Sequence, residues 1–407
     1  MKSQAGWPSN DAAEFRSLLH APRAYGKSAA GAGHEVSPAR RETGCWFGDL
    51  AFSTTATRGA MMTIMDKDVG VVVIGRNEGD RLRRCLLSLA DVPWRVYVDS
   101  GSTDGSCEVA RELGFDVVAL ASPPPFSAAR ARNRGIDRLR ELNPSLAFAQ
   151  TVDGDCEMQA AWICSGLEDM AARPDVAIVS GQVRERNPHV NAYHRACERE
   201  WTVREGYAGY VKSVGGIALL RLSAFYDVGG FNPALMGGEE PDLCLRLRQR
   251  GWAIWSNDQE MALHDAAIGR FSQWWQRARR GGYAAAQLVA LHGRNSETAW
   301  VRSLFSAAFW SFLALMGALL GVAGGVTGNK LLLVGCAGLV LLLLMQTYRL
   351  ARVRIGSSDW KGACDAGLML ISRIAALQGI VQLLYDRVTG VRSSPIEYKG
   401  FSPESGP

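Results

Sequence analysis

The residues whose type and spacing most directly suggest chemistry are two carboxylates around a glycine, Asp153-Gly154-Asp155. They follow an apolar segment that predicts a strand, so the pair lies where that strand ends. Hard divalent ions such as Mg²⁺ and Mn²⁺ prefer oxygen ligands of this kind and complete their coordination with substrate phosphates. The two carboxylates could share one ion or divide between an ion and a ribose. Taken alone, however, the tripeptide is more simply explained as a solvated acidic turn.

Polar residues at two earlier turns strengthen the chemical interpretation. Asp99 opens the segment Asp99–Ser106 and could accept hydrogen bonds from a base or a ribose. Within the same segment, Asp104 could instead cap the helix that follows. The turn after the first strand reads Arg76-Asn77-Glu78, and we expect Arg76 and Glu78 to contact a bound nucleotide.

A basic segment precedes the acidic turn and contains Arg130, Arg132 and Arg134. A guanidinium group here could neutralise a diphosphate or stack on a base, and Arg132 is our candidate for that role. The alternative is a solvated basic face of a helix.

The elements that must position these side chains alternate between strand and helix. Val69–Ile74 is a run of β-branched residues, typical of a strand buried on both faces. Further strands are predicted at Trp94–Val98, Phe115–Leu120 and Leu146–Val152, with a basic helix over 127–141. This order predicts a mostly parallel α/β sheet, which binds ligands at the carboxyl ends of its strands. Asp99 and Asp153 both fall at such ends.

Composition limits the classes of function. The formal net charge of the 407-residue chain is +5, too small to indicate nucleic acid as a partner. Nine cysteines without a CxxC pair predict reduced thiols facing the cytosol, with neither a disulfide framework nor a zinc site. His189 and His194 are five residues apart, which does not suit joint metal binding from one helical face.

The chain ends are predicted to differ from the central domain. Residues 1–65 are rich in Gly, Ala, Ser, Pro and Arg and lack the apolar core of a secretory signal. We interpret them as disordered or as a mis-assigned extension, since Met61, Met62 and Met65 stand just before the first strand. The central domain is expected to cover residues 66–295.

Two apolar stretches follow, at 303–325 and 331–347, each near the length of a membrane-spanning helix. Arginines flank both outer ends, whereas the connecting turn carries only Lys330. The positive-inside rule therefore predicts a transmembrane hairpin over 300–350 with the main domain in the cytoplasm. A buried hairpin of a soluble protein is the alternative. Residues 363–386 contain Arg373 and end in Asp386, so for 360–407 we favour an interfacial amphipathic helix and a tail over a third span.

The ordered set of motifs resembles the family 2 glycosyltransferases. It comprises Arg76-Asn77-Glu78, Asp99–Gly105, Ala131-Arg132-Asn133, Asp153-Gly154-Asp155, Val214-Gly215-Gly216, Gly229-Gly230-Phe231 and Gly237–Arg246. The resemblance covers about residues 69–290 and implies the GT-A fold, an α/β nucleotide-diphospho-sugar transferase domain.

The resemblance also implies roles for particular residues. Asp155, with Asp153 and His264, would hold the divalent metal of the donor diphosphate, and Asp99 would bind the nucleoside. The acceptor-side motif of the family usually reads Glu-Asp, with the second residue as the general base. Here it reads Glu239-Glu240, so Glu240 is the expected base and Glu239 the alternative. Asp242 and Arg246 are predicted to form a structural i,i+4 pair instead.

We therefore predict an inverting glycosyltransferase with Mn²⁺ or Mg²⁺ as its cofactor. It would act on the cytoplasmic side of an inner membrane, moving a sugar from a nucleotide-sugar donor to a lipid-linked acceptor in polysaccharide or glycolipid synthesis. Transfer directly to polyprenyl phosphate, nucleotidyl transfer and an inactive membrane scaffold are the alternatives. The segment Trp274-Trp275-Gln276-Arg277 differs in order from the Gln-x-x-Arg-Trp motif of processive synthases, which disfavours a processive polymerase.

Overall fold

The computed structural model describes residues 68–120, 127–201, 207–356 and 359–390. The predicted amino-terminal extension, residues 1–65, and the tail beyond residue 390 lie outside the described residues. The eight cysteines in the described part of the chain are free.

One mixed sheet organises the central domain. Its strands run in the order β3-β2-β1-β4-β8-β6-β9-β5, and β7 also pairs with β9. Six of these nine strands point in one direction, while β5, β7 and β8 run against them. The prediction of a mostly parallel α/β sheet is confirmed. The strands are β1 (Val69–Gly75), β2 (Trp94–Asp99), β3 (Asp116–Ala119), β4 (Phe148–Asp153), β5 (Cys156–Met158), β6 (Val176–Glu185), β7 (Gly209–Tyr210), β8 (Ala218–Arg221) and β9 (Ala253–His264).

Helices cover the sheet, and a group of longer helices follows it towards the carboxyl end of the chain. Those between strands are α1 (Asp80–Leu87), α2 (Ser106–Glu112), α3 (Ala128–Leu142), α4 (Trp162–Ala172), α5 (Ala192–Trp201), α6 (Leu222–Asp227) and α7 (Glu239–Gln249). After the last strand come α8 (Phe271–His292), α9 (Thr298–Thr327), α10 (Lys330–Leu350) and α11 (Trp360–Thr389). A short π-helix, Ala351–Ile355, extends α10.

The central strand β1 shows why its position could be predicted from the sequence. Its residues from Val69 to Ile74 are buried, because Val71 and Val73 join the core on one face while Val72 and Ile74 join the core on the other. Helix α3 supplies Ile136 and Leu139 to the second of these cores. A strand with two buried faces must be apolar at every position, which is the pattern that predicted it.

Parallel register brings the functional turns together. Ile74 of β1 stands opposite Asp153 of β4, and Gly75 of β1 stands opposite Asp99 of β2. Hydrogen bonds then join the turns: the backbone N–H of Asn77 donates to Ser102 Oγ at 2.9 Å, and the backbone N–H of Gly79 donates to Asp104 Oδ2 at 3.0 Å. Asp104 also accepts the backbone N–H of Ser106 at the start of α2, although the N-cap residue of that helix is Gly105, so the Asp104 carboxylate ties the two turns together.

Three carboxyl-terminal helices are long and apolar enough to cross a membrane: Thr298–Thr327, Lys330–Ile355 and Trp360–Thr389. The first two contain the predicted hairpin. The third contains the segment 363–386 that we expected to lie in the interface, and its length and composition alone also suit a span.

Candidate active site at the carboxyl edge of the sheet

A cleft of about 1370 Å³ opens at the carboxyl edge of β1 and β4. It extends from the turns after these strands to α8 and to residues 368–376 of α11. Asp99 is not among its lining residues, although its neighbour Ser100 is. The predicted site residues that do line the cleft are Arg76, Glu78, Arg132, Asp153, Asp155, Glu239, Glu240 and His264.

Asp155 and His264 meet because β5 pairs with the end of β9, where Cys156 stands opposite His264. Both side chains are buried, and His264 Nε2 lies 3.4 Å from Asp155 Oδ2. The other ring nitrogen, Nδ1, lies 2.7 Å from Glu185 Oε2 at the end of β6. Glu185 Oε1 in turn lies 3.1 Å from His194 Nδ1 of α5. These four side chains form one buried network, which we call the Asp155 network.

The charges of the Asp155 network support one another. Burial favours the neutral form of His264, but Asp155 and Glu185 outweigh that effect and raise its pKa to about 9. Burial likewise favours the neutral form of Glu185, yet hydrogen bonds with His194 and His264 lower its pKa to about 2. Glu185 is therefore an anion that fixes the orientation of the His264 ring.

Two members of the Asp155 network, together with Cys156, could hold a metal ion, which would displace the Nε2 proton of His264 on binding. Donor atoms of Asp155, Cys156 and His264 all lie within 4.8 Å of one another. A carboxylate and an imidazole suit Mn²⁺, and a metal-binding histidine typically has its second nitrogen held by a carboxylate, as Glu185 holds Nδ1 here. Asp153 is not part of this group.

Asp153 belongs instead to a second network, centred on Arg132 of α3. Arg132 Nη2 donates to Asp153 Oδ1 at 2.8 Å, and Nη1 donates to Glu239 Oε1 at 2.9 Å and to Glu240 Oε1 at 2.8 Å. Burial opposes the charge of Arg132, but these carboxylates outweigh it and raise its pKa, so the guanidinium stays cationic. Arg132, predicted to meet the diphosphate, is thus engaged with protein carboxylates in this structure. We call these four residues the Arg132 network.

Gly216 makes room for the Arg132 network. A Cβ atom added there would lie 2.0 Å from Arg132 Nη2 and 2.9 Å from Glu240 Oε1. The glycine of the Val214-Gly215-Gly216 motif is therefore required by the approach of the two charged side chains to the backbone.

Glu239 and Glu240 occupy the first turn of α7, behind Gly238 in the left-handed conformation. This position at the amino end of a helix suits carboxylates. Burial and the neighbouring Glu239 raise the pKa of Glu240 to about 7, despite the opposing effect of Arg132. A carboxylate with a pKa near neutrality can accept a proton and release it again. The predicted Asp242–Arg246 pair is present at 2.6 Å.

Asp99 organises its own turn. Its Oδ2 accepts the backbone N–H groups of Gly101 and Ser102, both at 2.9 Å, and its Oδ1 accepts the Tyr97 hydroxyl at 3.1 Å. Burial and the Asp99 charge raise the pKa of Tyr97, which keeps that hydroxyl protonated as a donor. The nucleoside-binding role of Asp99 stays a prediction.

The two candidates after β1 differ in exposure. Arg76 is exposed on the cleft, where a donor could reach it. Glu78 is buried, and its Oε2 lies 2.9 Å from Arg81 Nη2. In this structure Glu78 therefore forms an ion pair with a neighbouring residue of the chain.

Glu185 and Gly216 are the site residues that sequence reasoning missed. Glu185 lies at the carboxyl end of β6, a strand buried at eight of its first nine positions and again at Glu185. A charged residue at the end of such a strand was the available signal. The motif containing Gly216 could be recognised in the sequence. Its contact with Arg132 could not be predicted, because the two residues are 84 positions apart.

A family profile and curated proteins are similar to this part of the chain. Residues 70–229 match the profile of Glycosyl transferase family 2, which contains the turns after β1, β2 and β4. The chain is 30% identical over 240 residues to the pre-mycofactocin glycosyltransferase of Mycobacterium tuberculosis, covering 56% of this chain and 48% of that protein. It is 27% identical over 190 residues to the succinoglycan biosynthesis protein ExoA of Rhizobium meliloti, covering 44% of this chain and 56% of that protein. The chain thus spans about half the length of these curated relatives.

Among solved structures, the chain is similar to the mannosyltransferase PcManGT from Pyrobaculum calidifontis in complex with GDP-Man and Mn²⁺. That likeness has a TM-score of 0.46 and 16% identity, covering 78% of this chain and 87% of the other.

Proposed function

We propose that the chain is an inverting glycosyltransferase with a nucleotide-sugar donor and a lipid-linked acceptor, because its residues 70–229 match the profile of Glycosyl transferase family 2. The observation that carries the proposal is a single cleft with two acidic networks on its wall, one suited to a metal and one containing a carboxylate of near-neutral pKa.

The Asp155 network supports the donor side of the proposal. Asp155 and His264 would hold a divalent ion, Mn²⁺ or Mg²⁺, which when bound would neutralise the diphosphate leaving group as a Lewis acid. Glu185 would keep Nε2 of His264 directed at that position, since it already holds Nδ1. Arg76, exposed on the cleft after β1, would contact the donor nucleotide.

The Arg132 network supports the acceptor side. In a single displacement, an acceptor hydroxyl oxygen forms a bond to the anomeric carbon while the bond from that carbon to the diphosphate oxygen breaks. The hydroxyl proton must leave as the bond forms, and a carboxylate within hydrogen-bond reach can take it. Glu240 has the exposure and the pKa for this role, while Glu239 is more deeply buried. Arg132 would hold Glu240 in place as a positioning residue.

The membrane side of the cleft supports a lipid-linked acceptor. The lining of the cleft includes Glu240, Arg277 and Arg280 of α8, and Arg373 of the apolar helix α11, so basic side chains and an apolar helix share the cleft with the candidate base. An acceptor with a phosphate next to a lipid tail suits that combination of surfaces. The name of ExoA, a relative in succinoglycan biosynthesis, agrees with a role in cell-surface polysaccharide synthesis.

Contacts along α11 support its placement at the membrane surface. Asp365 near one end accepts two hydrogen bonds from Arg195 of α5, and Asp386 near the other end accepts the Tyr283 hydroxyl of α8. These residues are about 30 Å apart along the helix. Between them Gly282 lies against α11, where an added Cβ would stand 2.1 Å from the Ala376 carbonyl oxygen. A helix crossing the bilayer would carry one end away from the domain, whereas both ends of α11 contact it. We therefore propose an interfacial α11 below a two-helix anchor, with the domain in the cytoplasm.

The donor site can be tested without knowing the sugar. The purified protein would be heated with each of five nucleoside diphosphates, UDP, GDP, CDP, ADP and dTDP, with and without Mn²⁺. We expect one of them to raise the melting temperature, and only with the metal. Stabilisation by none, or equal stabilisation without metal, would contradict the donor site.

The acceptor is tested by product analysis with the donor so identified. Sugar transfer to a polyprenyl-diphosphate sugar supports the main proposal, and transfer to polyprenyl phosphate itself supports the second acceptor class. Release of pyrophosphate from a nucleoside triphosphate would instead indicate nucleotidyl transfer.

A further inference from the structure

A second, smaller cavity of about 290 Å³ lies between α9, α10 with its π-helical extension, and α11. Arginines from three places line it: Arg349 of α10, Arg354 of the π-helix and Arg373 of α11. We call it the basic cavity. No acidic residue of the described chain lines it.

The basic cavity combines cations with an apolar wall. Arg349 Nε donates to Gln346 Oε1 at 3.0 Å, which orients the guanidinium of Arg349. Because Gln346 is neutral, this hydrogen bond does not compensate the positive charge of Arg349. Trp310 and Leu350 provide apolar surface beside the arginines. A ligand matching this lining needs an anionic group that accepts several hydrogen bonds, joined to an apolar part. The phosphate of a lipid has both properties, and guanidinium groups bind phosphate oxygens in pairs.

The position of the basic cavity also favours a lipid as its ligand. The basic cavity lies between the amino-terminal half of α9 and the carboxyl-terminal end of α10. This is the end of the hairpin at which the arginines lie. This is the end predicted to face the cytoplasmic headgroup region, where basic pockets between helices bind lipid phosphates.

The basic cavity adjoins the catalytic cleft. Met369 and Arg373 of α11 line both spaces, so one turn of this helix separates them. We propose that the basic cavity binds the phosphate or diphosphate of the lipid-linked acceptor and holds it beside the cleft. This inference rests on the proposed function, because the acceptor's lipid is what the cavity would recognise.

The experiment measures binding of farnesyl diphosphate, a short prenyl diphosphate, to the full chain in a neutral detergent by calorimetry. Arg354→Gln is compared with Arg352→Gln, a matched control in the same π-helix whose side chain does not line the cavity. Loss of one charged hydrogen-bond donor should weaken binding about tenfold in Arg354→Gln, while Arg352→Gln binds as the unmutated chain does. Inorganic pyrophosphate and farnesol, each carrying half of the recognised chemistry, should bind more weakly than farnesyl diphosphate.

Other outcomes would overturn the inference. Equal loss in both arginine variants would mean that net charge, and not the cavity, binds the probe. Equal affinity for pyrophosphate would indicate a free-phosphate site, and displacement by phosphatidylglycerol at matched concentration would indicate a general phospholipid site. Stabilisation by the nucleoside diphosphate is measured on every variant to show that it is folded.

Failure of the proposed function has a different signature. If no lipid acceptor receives a sugar from the unmutated chain, the proposed function fails. If transfer proceeds and Arg354→Gln leaves the acceptor KM unchanged, the inference about the cavity fails alone.

Discussion

The two carboxylates of the Asp153-Gly154-Asp155 turn lie two residues apart, yet they belong to different networks. Asp155 is 3% exposed, faces His264, and is supported through that ring by Glu185 and His194. Asp153 is 26% exposed and pairs with Arg132, which also holds Glu239 and Glu240. On one side of the turn is a histidine, whose ring nitrogen can bind a metal. On the other side is an arginine, whose guanidinium has no acceptor and cannot bind a metal. In the proposed function, one acidic turn would therefore serve both halves of the site, the donor metal and the acceptor base.

The largest expected effect comes from Asp155→Ala. Without this ligand the leaving group loses several kcal/mol of electrostatic stabilisation, so sugar transfer should fall by about a thousandfold or more. Mn²⁺-dependent stabilisation by the nucleoside diphosphate should disappear as well. Asp153→Ala is the informative partner, because it should retain that metal dependence. If both variants lose it equally, the two networks act as one metal site and the comparison fails.

Removal of the base comes next. Glu240→Gln keeps the shape of the side chain but cannot accept a proton, so kcat should fall by roughly a hundredfold to ten-thousandfold. Nucleoside-diphosphate binding with Mn²⁺ should be unchanged, which separates this variant from Asp155→Ala. Glu239→Gln is measured beside it, and a larger loss of kcat there would move the base to Glu239.

A smaller effect is expected at Glu185, which would act on the proposed metal only through His264. Glu185→Gln removes the charge that fixes the His264 ring, and changes of this kind typically cost ten- to a hundredfold in metal affinity. Titration with Mn²⁺ at saturating nucleoside diphosphate measures this as a shift of the half-saturating concentration. Glu141→Gln, half-exposed on α3 and paired with Arg134, is the matched control. An unchanged Mn²⁺ requirement in Glu185→Gln would remove Glu185 from the metal site.

The smallest effect is a pH dependence of the unmutated enzyme. Burial and Glu239 raise the pKa of Glu240 to about 7, so the carboxyl is protonated below that pH and ionised above it. Only the ionised form can accept the acceptor proton, and kcat/KM should therefore fall about tenfold per pH unit below pH 7. The residual activity of Glu240→Gln should lack this slope. Persistence of the same slope in that variant would assign it to another group.

The parallel half of the fold was predictable because its signals are local. Strand β1 could be recognised from six consecutive residues, and the ends of β2 and β4 followed from the polar residues that terminate them. Asp155 and His264 were both expected near a metal, and the structure brings them together. The partners of Arg132 could not be predicted in this way, because Glu239 and Glu240 lie more than 100 residues along the chain.

The sequence by itself determined the alternating order of strands and helices, the acidic and basic turns at the strand ends, and the apolar helices that follow. Each depends on the burial or exposure of neighbouring residues, which composition and periodicity record directly. Only the tertiary structure decided which carboxylate meets which cation. Strand register sets where a turn lies, but β5 and β9, far apart in the chain, direct Asp155 to His264, while the packing of α3 against the sheet brings Arg132 to Asp153 at the end of β4. The sequence therefore predicted an acidic turn at Asp153-Gly154-Asp155, whereas the contact of Asp155 with His264 and of Asp153 with Arg132 required the folded chain.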